Sequence, residues 1–162
     1  MANQTTHEQY MALALEQASY GQLIARPNPA VGCVLVKDNK VVGAGYTQEA
    51  GGPHAEVMAI RAAGDMAGGT TAYVTLEPCS HYGRTPPCSL GLIAAGVSRL
   101  VYGCQDPNPQ VAGQGLAQLR AANIEVIGPV MRTECEASNR GFLQRMATNK
   151  PYVINKMAMS LD

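Results

Sequence analysis

The stretch Thr71-Ala72-Tyr73-Val74-Thr75-Leu76-Glu77-Pro78-Cys79 runs through strand-forming, mostly apolar residues, breaks at a proline and presents a cysteine. Apolar residues at consecutive rather than alternate positions predict a strand buried on both faces. Further on, Pro86-Pro87 leads into Cys88, which opens a helical run through Leu90, Leu92, Ile93 and Ala94 to Gly96. Proline suits the first turn of a helix and cannot extend one backwards. Upstream, Gly51-Gly52-Pro53-His54 opens another helical run carrying Val57, Met58, Ile60 and Ala63. Strand ends that meet helix starts are where open α/β sheets place their sites.

Working outward, Thr5 and Glu8 have capping-box spacing, and Tyr10, Met11, Ala14, Leu15 and Ala18 form a helical stripe lasting to about Gln22. Pro27-Asn28-Pro29 stops that helix, since a proline disfavours α conformation in the residue before it. Residues 31–36 are a continuous apolar run, Asp38-Asn39 supplies a turn, and residues 41–46 return as the second strand of a hairpin. The His54 helix is expected to reach about Met66. A strand at 99–103, a helix at about 115–122, a strand at 124–127 and a helix at about 132–147 follow. The fold class is therefore α/β: a mixed, mostly parallel five-stranded sheet with helices on both faces, led by an antiparallel hairpin. Residues 150–159 are expected to form one more strand, marking a boundary near residue 148 with another domain beyond.

A chain of 162 residues is one ordinary domain. Twelve basic and twelve acidic residues leave no electrostatic footprint for nucleic acid or an anionic membrane. Arg132, Arg140, Arg145, Lys150 and Lys156 fall late, but Glu134 and Glu136 dilute them into a solvated face. No apolar run has the length of a membrane span and no signal peptide opens the chain. Five cysteines, an odd number without scaffold-like spacing, predict thiols in a reducing, cytoplasmic setting. A Cys79–Cys88 disulfide is the rival.

Three residues carry the chemistry. His54, Cys79 and Cys88 are a donor set that suits Zn²⁺ with a fourth position open for water. Glu56, two residues past the histidine, is not needed as a ligand and is free to move protons. H-x-E followed by P-C…C is the pattern of zinc-dependent nucleobase deaminases, although there two residues separate the cysteines and here eight do. Each residue alone has a plainer explanation: a polar helix start, a small buried hydrophobe, an acid favoured by the helix dipole. Together they point to zinc. Two thiolates and an imidazole make the site formally neutral and a weaker Lewis acid than a three-histidine one. A base and the positive ends of two helices must then help. Glu56 would take a proton from the attacking water and return protons to a ring nitrogen and the departing amine, leaving ammonia and a carbonyl.

Asn28-Pro29 with Val31-Gly32-Cys33, Pro53-His54-Ala55-Glu56, the string from Tyr73 through Cys79, His81, Arg84 and Cys88, and Gln105-Asp106-Pro107-Asn108 together resemble the deaminase domain of the bifunctional riboflavin-biosynthesis deaminase/reductase family. The likeness covers residues 8–148. It implies a three-layer α/β/α cytidine deaminase-like fold and one Zn²⁺ on His54, Cys79 and Cys88, with Glu56 as proton shuttle. It also implies a phosphoribosylated substrate, 2,5-diamino-6-(5-phosphoribosylamino)pyrimidin-4(3H)-one, deaminated at C2. Asn28, His81, Arg84, Asp106 and Asn108 match positions around that substrate. Asn28 suits a pyrimidine edge and Arg84 suits phosphate, while Asn28 and Asn108 between prolines also fit plain turns. Two positions depart from the pattern: Arg84 stands where some members carry lysine, and Thr47 where many carry histidine. The division implied is 1–148 for a zinc-dependent deaminase domain and 149–162 for the start of a truncated reductase. That reductase would use NADPH, with Ala158 at its NADP pocket.

Two other functions fit parts of the pattern. A deaminase of another nucleobase or nucleotide, such as tRNA adenosine or dCMP, shares the metal set, but balanced charge and the long Cys79–Cys88 loop argue against tRNA. A structural zinc module would need a fourth protein ligand, Cys104 or His81. The tail, if it pairs with a neighbouring subunit's sheet edge, would make a homo-oligomer.

Overall fold

A computed structural model describes residues 2–83, 86–108 and 112–159. In chain order they form α1 (Ala2–Gly21), β1 (Gly32–Lys37), β2 (Lys40–Tyr46), α2 (Ala55–Ala63) with a 3-10 turn at Gly64–Ala67, and β3 (Thr71–Leu76). There follow α3 (Cys88–Ala94), β4 (Arg99–Cys104), α4 (Gln114–Ala121), β5 (Glu125–Ile127), α5 (Arg132–Ser138) and α6 (Arg140–Thr148). The five-stranded sheet is ordered β2-β1-β3-β4-β5. β1 is antiparallel to both β2 and β3, whereas β3, β4 and β5 pair in parallel. Only β1 therefore runs against the others, and the expected mixed sheet with its leading hairpin is what forms. The hairpin closes on Asp38 and Asn39, with φ of 48° and 61°, the left-handed pair that matches strand twist.

Side chains alternate across the strands and so assign the helices to two layers. A Cβ on Gly32 would lie 1.8 Å from the Ala14 carbonyl oxygen of α1, so on that side strand and helix backbones touch. On the other side a Cβ on Gly43 would lie 2.3 Å from the Ala59 oxygen of α2. α5 joins α1 on the first face, with Cys135 packed over Gly103, while α3 and α4 continue the α2 layer. Met11, Leu35, Val74, Leu92, Leu100 and Leu116 are among the side chains buried between layers.

Three expectations are corrected. The first helix begins at Ala2, ahead of the Thr5–Glu8 box, so both residues lie inside the helix rather than at its cap. The expected 132–147 helix is broken at Asn139, whose φ of −124° leaves the helical range while its side chain reaches across to β1's approach. Residues 151–159 form no strand. Val153 and Met159 are 78% and 83% exposed, and a strand-like pattern has nothing to gain without a ladder partner.

Candidate metal centre

β3 continues past Leu76 by one ladder bond, Glu77 N–H to the Cys104 oxygen at 2.9 Å, before Pro78 turns the chain. That fixes Cys79 at the carboxyl end of the central strand. His54 is the N-cap residue of α2 in extended conformation, and Cys88 is the first residue of α3. The Cys88 N–H donates to the Cys79 sulfur at 3.3 Å, and the Ser89 N–H and hydroxyl donate to the Cys79 carbonyl at 3.2 and 3.1 Å. These bonds lock the strand end onto the start of α3. His54 Nδ1 lies 3.2 Å from the Cys88 sulfur and 3.6 Å from the Cys79 sulfur.

All three donor atoms lie within 4.8 Å of one another, and among the described residues no other such group of histidine, cysteine or acidic residues exists. The thiols are free, so the rival disulfide does not form. Cys104, offered as a fourth ligand, turns into the sheet and donates to the Thr75 oxygen at 3.4 Å. His81 is exposed and outside the cluster.

Electrostatics fit a divalent cation here. The Cys79 thiol is held down to about 4, chiefly because it accepts a hydrogen bond from Cys88 and then because of His54. Cys88 is pushed up by the same bond and by burial. Two helix N-termini face the same point. Soft donors, helix ends and a nearby carboxylate match the residues zinc uses in catalytic sites.

Glu56 occupies the first turn of α2 and is 4% exposed. Burial, then the negative charge of Cys79, pushes its carboxyl up to about 7, while His54 and Cys88 pull it back. A base poised near neutrality beside the donor cluster is suited to proton transfer.

A cavity of about 640 Å³ opens over this cluster, with Asn28, Thr47, His81, Asp106 and Asn108 on its walls. Four of the five residues expected around a substrate are therefore brought together; Arg84 lies outside the described residues. Asp106 accepts the Asn108 N–H at 2.9 Å, and burial raises its carboxyl above the usual range while that bond and His81 pull it back. Thr47 is buried, and its hydroxyl accepts the Val31 N–H at 3.1 Å.

Two residues on this cavity escape a reading of the sequence. Glu77 is a buried carboxylate that accepts the N–H groups of Gly113 at 3.0 Å and Gly115 at 3.2 Å, with those of Leu116 and Asp106 also bonded. It ties the Asp106–Asn108 loop to the strand that delivers Cys79. Its one signal was an acid ending an apolar strand. Phe142 reaches the cavity from α6 and had no signal at all.

The comparisons agree with this geometry. A family model described as the cytidine and deoxycytidylate deaminase zinc-binding region matches residues 4–104. The chain is 59% identical over 155 residues to the riboflavin biosynthesis protein RibD of Escherichia coli (strain K12), covering 96% of this chain and 42% of that protein. It superposes on Acinetobacter baumannii RibD (form 2) with a TM-score of 0.91 and 49% identity, over 93% of this chain and 42% of that one. A diaminohydroxyphosphoribosylaminopyrimidine deaminase/5-amino-6-(5-phosphoribosylamino)uracil reductase from Thermotoga maritima gives a TM-score of 0.87 and 39% identity, over 93% of this chain and 44% of that one. The chain thus spans less than half the length of these relatives. With His54, Glu56, Cys79 and Cys88 all inside the matched region and the sheet and helix layers in common, the chain belongs to the cytidine and deoxycytidylate deaminase zinc-binding family.

Proposed function

We propose that this chain hydrolytically deaminates 2,5-diamino-6-(5-phosphoribosylamino)pyrimidin-4(3H)-one to 5-amino-6-(5-phosphoribosylamino)uracil and ammonia, a step of riboflavin biosynthesis. The observation that carries the reading is a buried carboxylate, Glu56, on the same cavity wall as a convergent histidine–dicysteine cluster. The name of the Thermotoga maritima relative supports the choice of substrate.

His54, Cys79 and Cys88 would hold Zn²⁺, which supplies, when bound, the Lewis acidity that makes water nucleophilic near neutral pH. Glu56 takes the water proton as the C2–O bond forms and passes it to the adjacent ring nitrogen. A second proton, again through Glu56, leaves with the amine as the C2–N bond breaks, so water and the aminopyrimidine become ammonia and a ring carbonyl. Asn28, Asp106 and Asn108 line the same cavity and suit the polar edges of the pyrimidine and ribose, with His81 at its wall. Arg84 supplies a cation for the phosphate. On the same likeness, residues 149–162 are read as the start of a reductase part that would use NADPH, with Ala158 toward its NADP pocket. Free thiols and the reaction class favour the cytoplasm, and among the described residues no helix is long and apolar enough to cross a membrane.

The test is ammonia release by the zinc-loaded chain from the phosphoribosylated diaminopyrimidine, with dCMP and tRNA as comparisons. The expected result is turnover of the first alone, and a loss of about 10²–10⁴ in kcat for Glu56→Gln at unchanged zinc content. Turnover of dCMP or tRNA in preference, or an active Glu56→Gln, contradicts the proposal.

A further inference from the structure

We infer that Phe142 is the wall against which the substrate's pyrimidine ring packs, so that α6, outside the zinc-binding region, sets the cavity's preference for a flat heteroaromatic ring. The inference rests on the deaminase reading above. Phe142 is the one phenylalanine of the chain, and tryptophan is absent. Among the described residues lining the cavity, it is the only aromatic ring besides His54 and His81. His54 belongs to the donor cluster and His81 is exposed. The remaining apolar lining, Val31 and Leu76 with Pro27 and Pro29, is aliphatic. Phe142 packs on the core yet stays partly exposed, and the cavity is where it shows.

Its position is braced. The Arg145 guanidinium lies 5.9 Å over the Phe142 ring, and its Nη2 donates to the Pro27 oxygen at 2.9 Å. At the head of α6, the Asn139 amide accepts the Ala30 N–H and donates to the Ala30 oxygen, both at 2.8 Å. The Asn28-bearing segment and α6 are thereby held together, and both line the cavity. The family match ends at residue 104, whereas Phe142, Asp106 and Asn108 all follow it. Metal and proton chemistry thus sit in one part of the chain, and the surface meeting the substrate's face comes from another.

A base resting flat on an aromatic ring loses about tenfold or more in affinity when the ring is removed. The experiment uses the zinc-loaded chain with Phe142→Leu, which keeps apolar bulk, and Phe142→Tyr, which keeps the ring. Phe142→Leu should raise KM for the phosphoribosylated diaminopyrimidine about tenfold with kcat nearly unchanged, one zinc per chain and a melting temperature close to that of the unmodified protein. Phe142→Tyr should return KM most of the way. An unchanged KM in Phe142→Leu overturns the assignment. So does a Leu variant that fails to fold or loses zinc, because it makes the ring a core element. Absence of turnover in the unmodified chain instead overturns the deaminase reading and the inference with it.

Discussion

Glu56 and Glu77 are both buried carboxylates on one cavity, and their surroundings give them opposite work. Glu56 is buried beside the charge of Cys79, which raises its carboxyl and leaves it able to exchange protons. Glu77 is wrapped in backbone N–H groups, which oppose the upward push of its burial and use its oxygens as a fixed anchor. Glu77→Gln replaces one acceptor oxygen with a donor that faces an N–H. It should cost about 1–3 kcal/mol in thermal unfolding and raise KM while zinc content holds, because the Asp106–Asn108 loop loosens and the metal ligands do not. An unchanged KM would show that the loop is held by other contacts. The difference also explains what a reader of the sequence can see. His54, Glu56, Cys79 and Cys88 announce themselves because prolines and glycines beside them set helix starts and strand ends locally. Glu77 acts through amides some forty positions away, and no local pattern marks that.

At the scale of elements, the strand and helix alternation was legible because the strands are largely apolar and most junctions are punctuated by Gly or Pro, with Asp38-Asn39 at the hairpin and Asn123 before β5. The break between α5 and α6 was not. Its cause is a side chain pairing with Ala30, 109 positions distant, while the apolar spacing runs on through the break. Asn139→Ala would strand the Ala30 N–H and oxygen, and a loss of about 1–3 kcal/mol on denaturant unfolding is expected. A variant as stable as the parent would mean that water replaces the amide at no cost. Close approach of α1 to β1 makes a second forecast. Gly32→Ala should push the helix off the strand and destabilise by about 1–3 kcal/mol or more, measured by thermal melting. The tail shows the converse limit: strand-forming residues are present at 152–154, but among the described residues no strand pairs with them.

Across the whole molecule, parallel β3 and β4 send Cys79 and Asp106 to one end of the sheet, where the starts of α2 and α3 wait. The site therefore ties the end of β3 to the starts of α2 and α3, and a bound cation should stabilise the fold by mass action. Removing it with a strong chelator is expected to lower the melting temperature. It should also leave Cys79, half-buried and with its thiol held low, quickly alkylated at pH 8. Cys33, Cys104 and Cys135 should stay slow, since burial raises all three, the last two to about 12. Fast labelling of any of these three would place a core cysteine at the surface.

The most direct test of the centre itself is zinc-edge X-ray absorption on the purified, zinc-loaded chain. Two sulfurs and two lighter donors, one of them exchangeable, are predicted from His54, Cys79, Cys88 and a solvent position. A third sulfur, or no zinc taken up at all, would contradict the account.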